Sequence, residues 1–561
     1  MRLWLLGGVT VSALLILGTR VPDKKTKQAP FPVSIAIDAS KPIGNMNPAW
    51  RFFGCDEPNY AYLKDGKKLI GELGKLGKDT VYFRTHNLLS TGDGTSALKW
   101  GSTNAYTEDA QGRPHYDWKI LDRIFDTYLR AGVKPYVEIG FMPKALSTKP
   151  EPYQHHWTPA SRYEEIYTGW SYPPTDYAKW ATLVEKWVEH CVSRYGRKEV
   201  EKWFWEVWNE PNIGYWQGSP EDFRKLHDFA VDAVRRALPT AKVGGPDMAG
   251  SDPRYLKPFI DHCLTGSNYA TGKTGTPIDF VSFHAKGAPS FVDGHVRMGI
   301  STQLRGIDSG FATVASYPKL KQAPIVIGES DPDGCAACQG PQLAYRNGTM
   351  YSSYTAESVI RELEIADKRG VNFLGATTWA FEFEGQGFFP GFRVMAANGI
   401  DLPVLNVFRM LGKMSGKRIA VANSGAMPLA DVLRSGVRMS PDVSALACMD
   451  GRKLTVLICH YHDDDLPGPE ADIFMTLSGL PVDGNVKIKK FQIDGELSNG
   501  FTAWKKMGSP TNPTRSQFAK LEQASHLATM PSPPNASIIG GKIGIKFNLP
   551  RQAVALYELS W

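Results

Sequence analysis

The stretch Trp205-Glu206-Val207-Trp208-Asn209-Glu210-Pro211-Asn212 decides how this chain is interpreted, because an apolar, aromatic run ends there on a proline. Proline has no N–H for a strand ladder, so the run predicts a β-strand that ends at Glu210. Adjacent strand residues point to opposite faces, and Asn209 and Glu210 can therefore share a site only if the strand end bends or bulges. The alternative, a surface Asn-Glu-Pro turn, is disfavoured by the aromatic residues that precede it.

Runs of the same kind recur along the chain and alternate with amphipathic helical stretches. The candidate strands are Arg51–Asp56, Val81–His86, Lys134–Gly140, Trp203–Glu210, Lys242–Asp247, Phe280–Ala285, Pro324–Ser330 and Asn372–Phe381. The helical stretches include Tyr116–Gly132, Asp176–Gly196, Pro220–Leu238, Tyr351–Gly370 and Leu402–Met414. Eight strand–helix units over about 360 residues predict an α/β fold, a (β/α)8 TIM barrel over residues 41–416. An open doubly wound sheet is the alternative, but no glycine-rich phosphate loop opens a helix.

Beyond about Lys417 the helical period disappears and turn residues separate short strands. These are Ala445–Met449, Leu454–His460, Ile473–Leu477, Val486–Ile493, Ile543–Phe547 and Ala553–Leu559. This pattern predicts a C-terminal β-sandwich domain over residues 417–561. A further strand over residues 33–40 precedes the barrel, and we expect it to pair with the sandwich.

The N-terminus has the features of a secretory signal, with Met1-Arg2 followed by an apolar run from Leu3 to Gly18. That run is short for a spanning helix, which needs about 20 residues. Because the cleavage site is poor, residues 1–20 are either a signal peptide or an uncleaved anchor, and residues 21–32 form a proline-rich linker. We expect a secreted, periplasmic or extracellular protein that touches a membrane only if the segment is uncleaved.

Composition excludes several classes of function. Lys and Arg number 64 against 57 for Asp and Glu, a mild excess without the concentrated basic footprint of a nucleic-acid binder. Cys335 and Cys338 have the spacing of a redox or zinc half-site, but no second such pair exists. We therefore favour a local disulfide that stiffens a loop.

A second carboxyl group is predicted at the end of another barrel strand. Glu329 follows the apolar run that begins at Pro324, on the predicted seventh strand. It lies 329 − 210 = 119 residues after Glu210, the length of three strand–helix units of about 40 residues. Catalytic groups of such barrels lie at the C-terminal strand ends, and glycoside hydrolysis needs a pair of carboxyl groups across the scissile bond.

The Trp-Asn-Glu-Pro-Asn motif, the downstream strand-end Glu and the barrel-then-sandwich layout resemble clan A retaining glycosidases. More narrowly, they resemble glycoside hydrolase family 39, which holds β-xylosidases and α-L-iduronidases. The resemblance implies that Glu210 is the acid/base, that Glu329 is the nucleophile and that Asn209 bonds the sugar 2-hydroxyl. It also implies sugar contacts at four strand-end residues, namely Arg84, His86, His284 and Trp379. The mechanism that the resemblance implies requires no metal and no organic cofactor.

Two positions depart from the xylosidase branch of that family. Where that branch carries Ala-Tyr after the histidine, this chain reads His284-Ala285-Lys286, and Glu329 is followed by Ser330-Asp331-Pro332. Both resemble the iduronidase branch, in which the matching Lys holds the uronate carboxylate. We include Lys286 and Asp331 among the expected substrate-binding residues. The alternative is a purely structural role, in which Lys286 and Asp331 pair with each other and never contact sugar.

The expected function is a retaining exo-glycoside hydrolase that releases a terminal xyloside or related sugar from an oligo- or polysaccharide. An iduronidase-like uronosidase using Lys286 and an endo-glycanase of the same clan stay open. An inactive carbohydrate-binding protein is disfavoured, because a lectin gains nothing from two catalytic carboxyl groups. The stretch His460–Asp465 could bind a divalent cation, but a solvated loop leaning over the barrel mouth is the preferred interpretation.

Overall fold

The computed structural model describes residues 28–531 and 537–561, and its larger part is a closed barrel of eight parallel strands. In chain order the barrel strands are β2 Phe52–Cys55, β3 Tyr82–Thr85, β4 Lys134–Ile139, β5 Phe204–Val207, β6 Lys242–Met248, β7 Phe280–Lys286, β8 Ile325–Asp331 and β9 Phe373–Trp379. Each pairs with the next, and β9 closes the barrel on β2. The (β/α)8 prediction is confirmed, and the open doubly wound sheet is excluded.

Helices surround the barrel and continue into the C-terminal region. They are α1 Lys64–Leu73, α2 Lys119–Arg130, α3 Tyr177–Tyr195, α4 Arg197–Val200, α5 Pro220–Ala237, α6 Pro253–Thr265, α7 Ile300–Ala315, α8 Thr349–Arg369, α9 Pro403–Leu411, α10 Leu429–Ser435, α11 Gly500–Lys506 and α12 Arg515–Ser525. Local sequence fixes their ends. Ser219 and Asp222 form a capping box that starts α5, and Gly370 ends α8 in the left-handed conformation at φ 61°.

The two ends of the barrel differ in polarity: one is filled by apolar side chains and the other by charged ones. A separate apolar cluster, five of its members aromatic, fills the N-terminal end, and it consists of Phe52, Tyr82, Tyr136, Phe204, Phe280 and Val326. Buried charged side chains, among them Arg84, Glu138 and Glu206, lie toward the C-terminal end. Because the N-terminal end is closed by packed rings, the polar groups can meet a ligand only at the C-terminal end.

A second, mostly-sheet region follows the barrel, as the sequence predicts. In chain order eight of its strands are β10 Lys417–Asn423, β11 Asp442–Asp450, β12 Lys453–Tyr461, β13 Ala471–Ser478, β14 Lys487–Ile493, β15 Ala528–Met530, β16 Ile543–Leu549 and β17 Ala553–Ser560. The ninth strand, β1 Phe31–Asn45, pairs antiparallel with β10 and parallel with β13. The strand expected over residues 33–40 thus belongs to this sheet, whose two halves enclose one apolar core.

The prediction that helices are absent beyond Lys417 is wrong. Three helices, α10, α11 and α12, lie among the C-terminal strands. They are short, and α12 buries only Leu521 and Ser525, so their hydrophobic period is weak. The capping box of Thr514 and Gln517 is the sequence signal that predicts the start of α12.

The prediction that His460–Asp465 forms a solvated loop is also wrong for residues 460–463, which are buried, whereas Asp465 is exposed. His460 and Asp463 are fully buried, and the Asp463 carboxylate accepts bonds from the Tyr461 hydroxyl and the Val437 N–H. Asp464 accepts a bond of 2.6 Å from Nε of Arg297, which lies in the β7–α7 connection. Distant partners have replaced water, so the segment links the sheet to the barrel rim.

The N-terminal signal or anchor and most of the linker lie outside the described residues. Within residues 28–531 and 537–561, no helix is long and apolar enough to cross a membrane. The local disulfide between Cys335 and Cys338 is confirmed.

Helix α8 lies between the barrel and the second sheet and carries the main polar link between them. The Arg361 guanidinium binds the Asp442 carboxylate of β11, the Glu357 carboxylate and the Met427 carbonyl oxygen. Arg361 and its two carboxylate partners are buried. Breaking such a pair by removing one partner costs about 3–5 kcal/mol, because the other charge stays buried alone.

We therefore expect Arg361→Met to lower the free energy of unfolding by about 3–5 kcal/mol, measured by urea unfolding. The matched control is Arg369→Met on the same helix, whose partly exposed pair with Asp308 is expected to contribute about 1 kcal/mol or less. Equal losses in the two variants would contradict this assignment of the interface.

Candidate active site

The bend required for Asn209 and Glu210 to share a site is present at the end of β5. The strand ends at Val207, and both Trp208 (φ 71°) and Glu210 (φ 45°) have left-handed backbone conformations. Such conformations are uncommon for residues other than glycine and are held here by surrounding structure. The Glu210 N–H donates to the Asp247 carbonyl oxygen at 2.9 Å, which anchors the bend to β6.

Glu210 and Glu329 meet across the barrel mouth. One carboxylate oxygen of each, together with a ring nitrogen of His284, lie within 4.8 Å of one another. Retaining glycosidases hold their carboxyl groups about 5–5.5 Å apart, whereas inverting enzymes need about 6.5–9.5 Å to admit a water. Oxygens within 4.8 Å of each other lie below the inverting range, so the spacing favours the retaining geometry.

Cations surround Glu329. Its carboxylate lies 2.7 Å from Nζ of Lys286, 3.5 Å from Nε2 of His86 and 3.7 Å from the Arg84 guanidinium. Burial raises the pKa of Glu329, but the charges of Lys286 and His284 oppose it and hold the pKa well below the usual range. Glu329 is therefore ionised at neutral pH.

His284 connects the two carboxyl groups to β6. Its Nδ1 lies 2.9 Å from Glu210 Oε1, and its Nε2 lies 2.7 Å from Asp247 Oδ2. Burial lowers the pKa of His284, but the charges of Asp247 and Glu329 more than compensate and raise the pKa to about 10. The imidazolium can thus donate from both nitrogens, and Glu210 receives one of these bonds.

Arg84 organises the layer beneath the pair. This fully buried guanidinium donates to Glu206 at 2.7 Å and contacts Glu138 at 3.0 Å as well as Asp247. It also donates to Asn209 Oδ1 at 3.1 Å, which fixes the orientation of that amide. Among the residues that the structure describes, no group accepts a bond from Asn209 Nδ2. An oriented donor of this kind can bind a ligand hydroxyl.

Trp379 and His86 form an aromatic wall beside the pair. Their rings lie 4.4 Å apart, and Trp379 also lies 5.0 Å from the Arg84 guanidinium. The indole N–H donates to Asp56 at 2.9 Å, and His86 Nδ1 contacts the same carboxylate at 3.1 Å. Burial lowers the pKa of His86, but the charges of Glu138 and Asp56 raise it to about 9.

Lys286 makes two ion pairs, one with Asp331 and one with the strand-end carboxylate Glu329. Its Nζ lies 2.7 Å from Glu329 and 2.6 Å from Asp331. Asp331 is almost fully buried and also binds Arg393 at 3.1 Å and the Trp379 N–H at 3.0 Å. Asp331 thus lies behind Lys286, which is itself adjacent to Glu329.

Several residues of the site escaped the sequence analysis. They are Asp56, Lys99, Glu138, Tyr163, Glu206, Tyr215, Asp247 and Arg393. Asp56, Glu138 and Asp247 lie in the C-terminal half of a barrel strand or directly after it, so the rule that found Glu329 could have found them. Lys99 and Tyr163 lie in long loops, where no local pattern indicates a site.

Glu210, His284 and Glu329 are also close enough to hold a metal ion. A ligating histidine must be neutral. Because its neighbours raise the pKa of His284 to about 10, the imidazole is protonated and does not fit a metal ligand. The residues suit proton and carbohydrate chemistry better.

Comparison with known proteins identifies relatives over nearly the whole chain. It is 26% identical to a β-xylosidase of Caldicellulosiruptor saccharolyticus over 503 residues, which cover 88% of this chain and 92% of the relative. It is 23% identical to an α-L-iduronidase of Mus musculus over an alignment of 569 positions, which spans 95% of this chain and 81% of the relative. Both branches of one family are therefore represented.

Solved structures give the same fold. A monomeric β-xylosidase from Caulobacter crescentus CB15 matches with a TM-score of 0.73 and 19% identity, covering 94% of this chain and 99% of its own. A bacterial orthologue of human α-L-iduronidase matches with a TM-score of 0.75 and 20% identity, covering 94% and 84%. The model of the glycosyl hydrolases family 39 matches residues 33–537. The chain is thus a glycoside hydrolase, and it belongs to glycosyl hydrolases family 39.

Proposed function

We propose that this enzyme is an exo-acting β-xylosidase that removes a terminal xyloside, or a closely related neutral sugar, from an oligo- or polysaccharide. The observation that carries the proposal is the pair of Glu210 and Glu329. Their oxygens lie within 4.8 Å, and the surrounding cations hold Glu329 ionised. This is the arrangement that a double displacement requires.

In the proposed mechanism the Glu329 carboxylate attacks the anomeric carbon and forms a glycosyl-enzyme ester. Glu210, in its acid form, protonates the departing glycosidic oxygen as the bond breaks. Glu210 then takes a proton from water, and that water cleaves the ester with net retention.

Two neighbours support these roles. His284 donates to one oxygen of Glu210, which leaves the other oxygen available for the transferred proton. Arg84 fixes Asn209 through its Oδ1, which leaves Nδ2 available for the sugar 2-hydroxyl. Bonds to this hydroxyl strengthen in the transition state and contribute several kcal/mol in such enzymes.

The charges near Lys286 favour a neutral glycone. Lys286 and Arg393 bring two positive charges to this side of the pair, and Glu329 and Asp331 bring two negative ones. A uronate carboxylate would add a negative charge that no cation of this group is free to match. The likeness to a β-xylosidase over 92% of its length supports the same choice.

An α-L-iduronidase-like activity is the second candidate, and Lys286 carries it. Its ammonium lies 2.7 Å from Glu329, close to where the sugar ring must sit, and its side chain is 16% exposed. An ammonium has three donors, so one stays available after the bonds to Glu329 and Asp331. Xylosides and iduronides differ at C5, and this donor could bind the iduronide carboxylate there.

Exo action and location are further parts of the proposal. Three barrel-mouth loops contact one another through Lys99, Tyr163 and Tyr215: the lysine lies against the Tyr163 ring, and the two tyrosine hydroxyls share a hydrogen bond. These contacts support an enclosed pocket and not an open cleft. Single sugars, and no larger fragments, should therefore be the first products. The disulfide of Cys335 and Cys338 supports a location outside the cytoplasm, where disulfides persist.

The two carboxyl variants should fail in different ways. Glu329→Ala should abolish turnover of every aryl glycoside, because no ester can form. Glu210→Ala should lose a factor of about 10²–10⁴, as is typical for removal of a general acid/base, with the second step slowed most for good leaving groups. Added azide should restore turnover and give a glycosyl azide of retained configuration, as read by proton NMR.

The inactive carbohydrate-binding alternative predicts no turnover in the parent protein. An inverted azide from Glu210→Ala would mean that the two roles are exchanged. Asp222→Ala, at the start of α5 and away from the site, serves as the matched acidic control and should retain parental activity.

Substitution of Lys286 should discriminate between the two candidate sugars. If Lys286 binds a uronate, Lys286→Met should reduce kcat/KM on an aryl iduronide by about 10- to 100-fold, the value of a charge-assisted bond, and spare an aryl xyloside. If it serves Glu329, as we propose, the parent should cleave the xyloside and the variant should lose activity on it. Lys119→Met, an 88% exposed lysine on α2, is the control and should change neither.

A further inference from the structure

A second buried lysine lies on another wall of the site. Lys99, in the loop after β3, makes an ion pair with Asp56 at the end of β2. The side chains are 3% and 6% exposed. The pair is held from several directions, since the Lys99 N–H donates to Glu57 at 2.8 Å and the ammonium lies 5.4 Å from the Tyr163 ring.

The hydrogen bonds of this pair are incomplete. The Lys99 ammonium has three donors, and in the described part of the chain only one of them has an acceptor, Asp56 Oδ2. Asp56 Oδ1 is occupied by His86 Nδ1 and Trp379 Nε1, whereas Oδ2 accepts, among the described residues, only from Lys99. Buried donors are nearly always satisfied in proteins, so an unfilled donor next to a free acceptor position indicates a missing partner.

The pair lies beside the candidate catalytic carboxyl groups and is linked to them by contacts. One imidazole ring separates it from Glu329, since His86 contacts Asp56 through Nδ1 at 3.1 Å and Glu329 through Nε2 at 3.5 Å. On the other side, Tyr163 bonds the Tyr215 hydroxyl at 2.9 Å. Tyr215 belongs to the same β5–α5 loop as Glu210, so the chain of contacts starts at Glu329 and ends in the loop that carries Glu210.

We propose that Lys99 and Asp56 together bind one secondary ring hydroxyl of the terminal sugar. The hydroxyl oxygen accepts from Nζ of Lys99, and its proton is donated to Oδ2 of Asp56. A neutral hydroxyl fits because it both accepts and donates, whereas a carboxylate would be repelled by Asp56. This inference rests on the proposed function and assigns to it a determinant of specificity.

The assignment has a consequence for exo action. A hydroxyl held between two buried charged groups has no room for a further sugar on its oxygen. The sugar bound there is therefore the terminal one. A sugar that lacks this hydroxyl leaves the buried donors unpaired, and sites built to bond a hydroxyl reject such analogues strongly.

The test compares the parent and Lys99→Met on an aryl β-xyloside and its 2-, 3- and 4-deoxy analogues. In the parent, one of the 3- and 4-deoxy substrates should lose about 10- to 100-fold in kcat/KM, the value of a bond to a charged group. Lys99→Met should lose a similar factor in kcat/KM on the full xyloside. For this variant, removing the hydroxyl from the substrate should then lower kcat/KM by less than about threefold. An unchanged deoxy penalty in the variant would overturn the inference, because a purely structural lysine slows all substrates alike.

Two further measurements keep the result decisive. Lys119→Met should show the parental deoxy penalties, and Asp56→Asn replaces Lys99→Met if that variant fails to fold. Calorimetric binding of xylose to Glu329→Ala needs no turnover, and the added Lys99→Met should weaken it about 10- to 100-fold. Weakened binding without turnover in the parent would support the site and reject the proposed function. Equal binding by the two proteins would reject the site alone.

Discussion

The structure depends on the compensation of carboxylates that are buried together at one end of the barrel. Glu138, Glu206, Asp247 and Glu329 all converge on the Arg84 guanidinium, which is itself fully buried. An uncompensated buried charge costs several kcal/mol, so each group is tolerable only while the others remain. Protonation removes part of the negative charge, because burial raises the pKa of Glu138 to about 8 and that of Glu206 to about 7. Two carboxylates keep a lowered pKa and stay ionised: Asp247, beside Arg84 and His284, and Glu329, close to Lys286 and two histidines.

This constraint explains which parts of the site the sequence predicts. Glu210 and Glu329 each end a long apolar run, so the strand pattern alone places them at the barrel mouth. Asp56 obeys the same rule, but nothing in its local sequence reveals that Lys99, forty-three residues later, neutralises it. The contacts of Lys99 and Tyr163 arise from the paths of long loops, which periodicity does not encode. Pairing across the fold, and not residue type, was the missing information.

The failed prediction for His460–Asp465 in the C-terminal region has the same cause. A run of histidines and aspartates resembles a solvated loop, because its partners are far away in sequence. The Arg438 carbonyl, the Val437 N–H and the Arg297 guanidinium satisfy it instead. Arg297 lies in the connection that follows β7, the strand that ends at Lys286. The second sheet is thereby attached to a loop at the rim of the site, in addition to its contact with α8.

The ion pairs of Glu329 affect the two steps of the proposed mechanism in opposite directions. Cations that lower the pKa of a carboxylate make it a weaker nucleophile, and the same stabilisation makes it a better leaving group. In the proposed mechanism Lys286 keeps Glu329 in the ionised form that can attack the glycoside, at some cost in nucleophilicity, and it assists the second step, in which the Glu329 carboxylate is expelled from the ester. Asp331 keeps Lys286 paired while Glu329 is esterified and uncharged. With Arg393 behind Asp331, the ammonium remains in place to receive the returning charge. The pairing of Lys286 with Asp331 thus has a place in the chemistry even though Asp331 is buried behind the lysine.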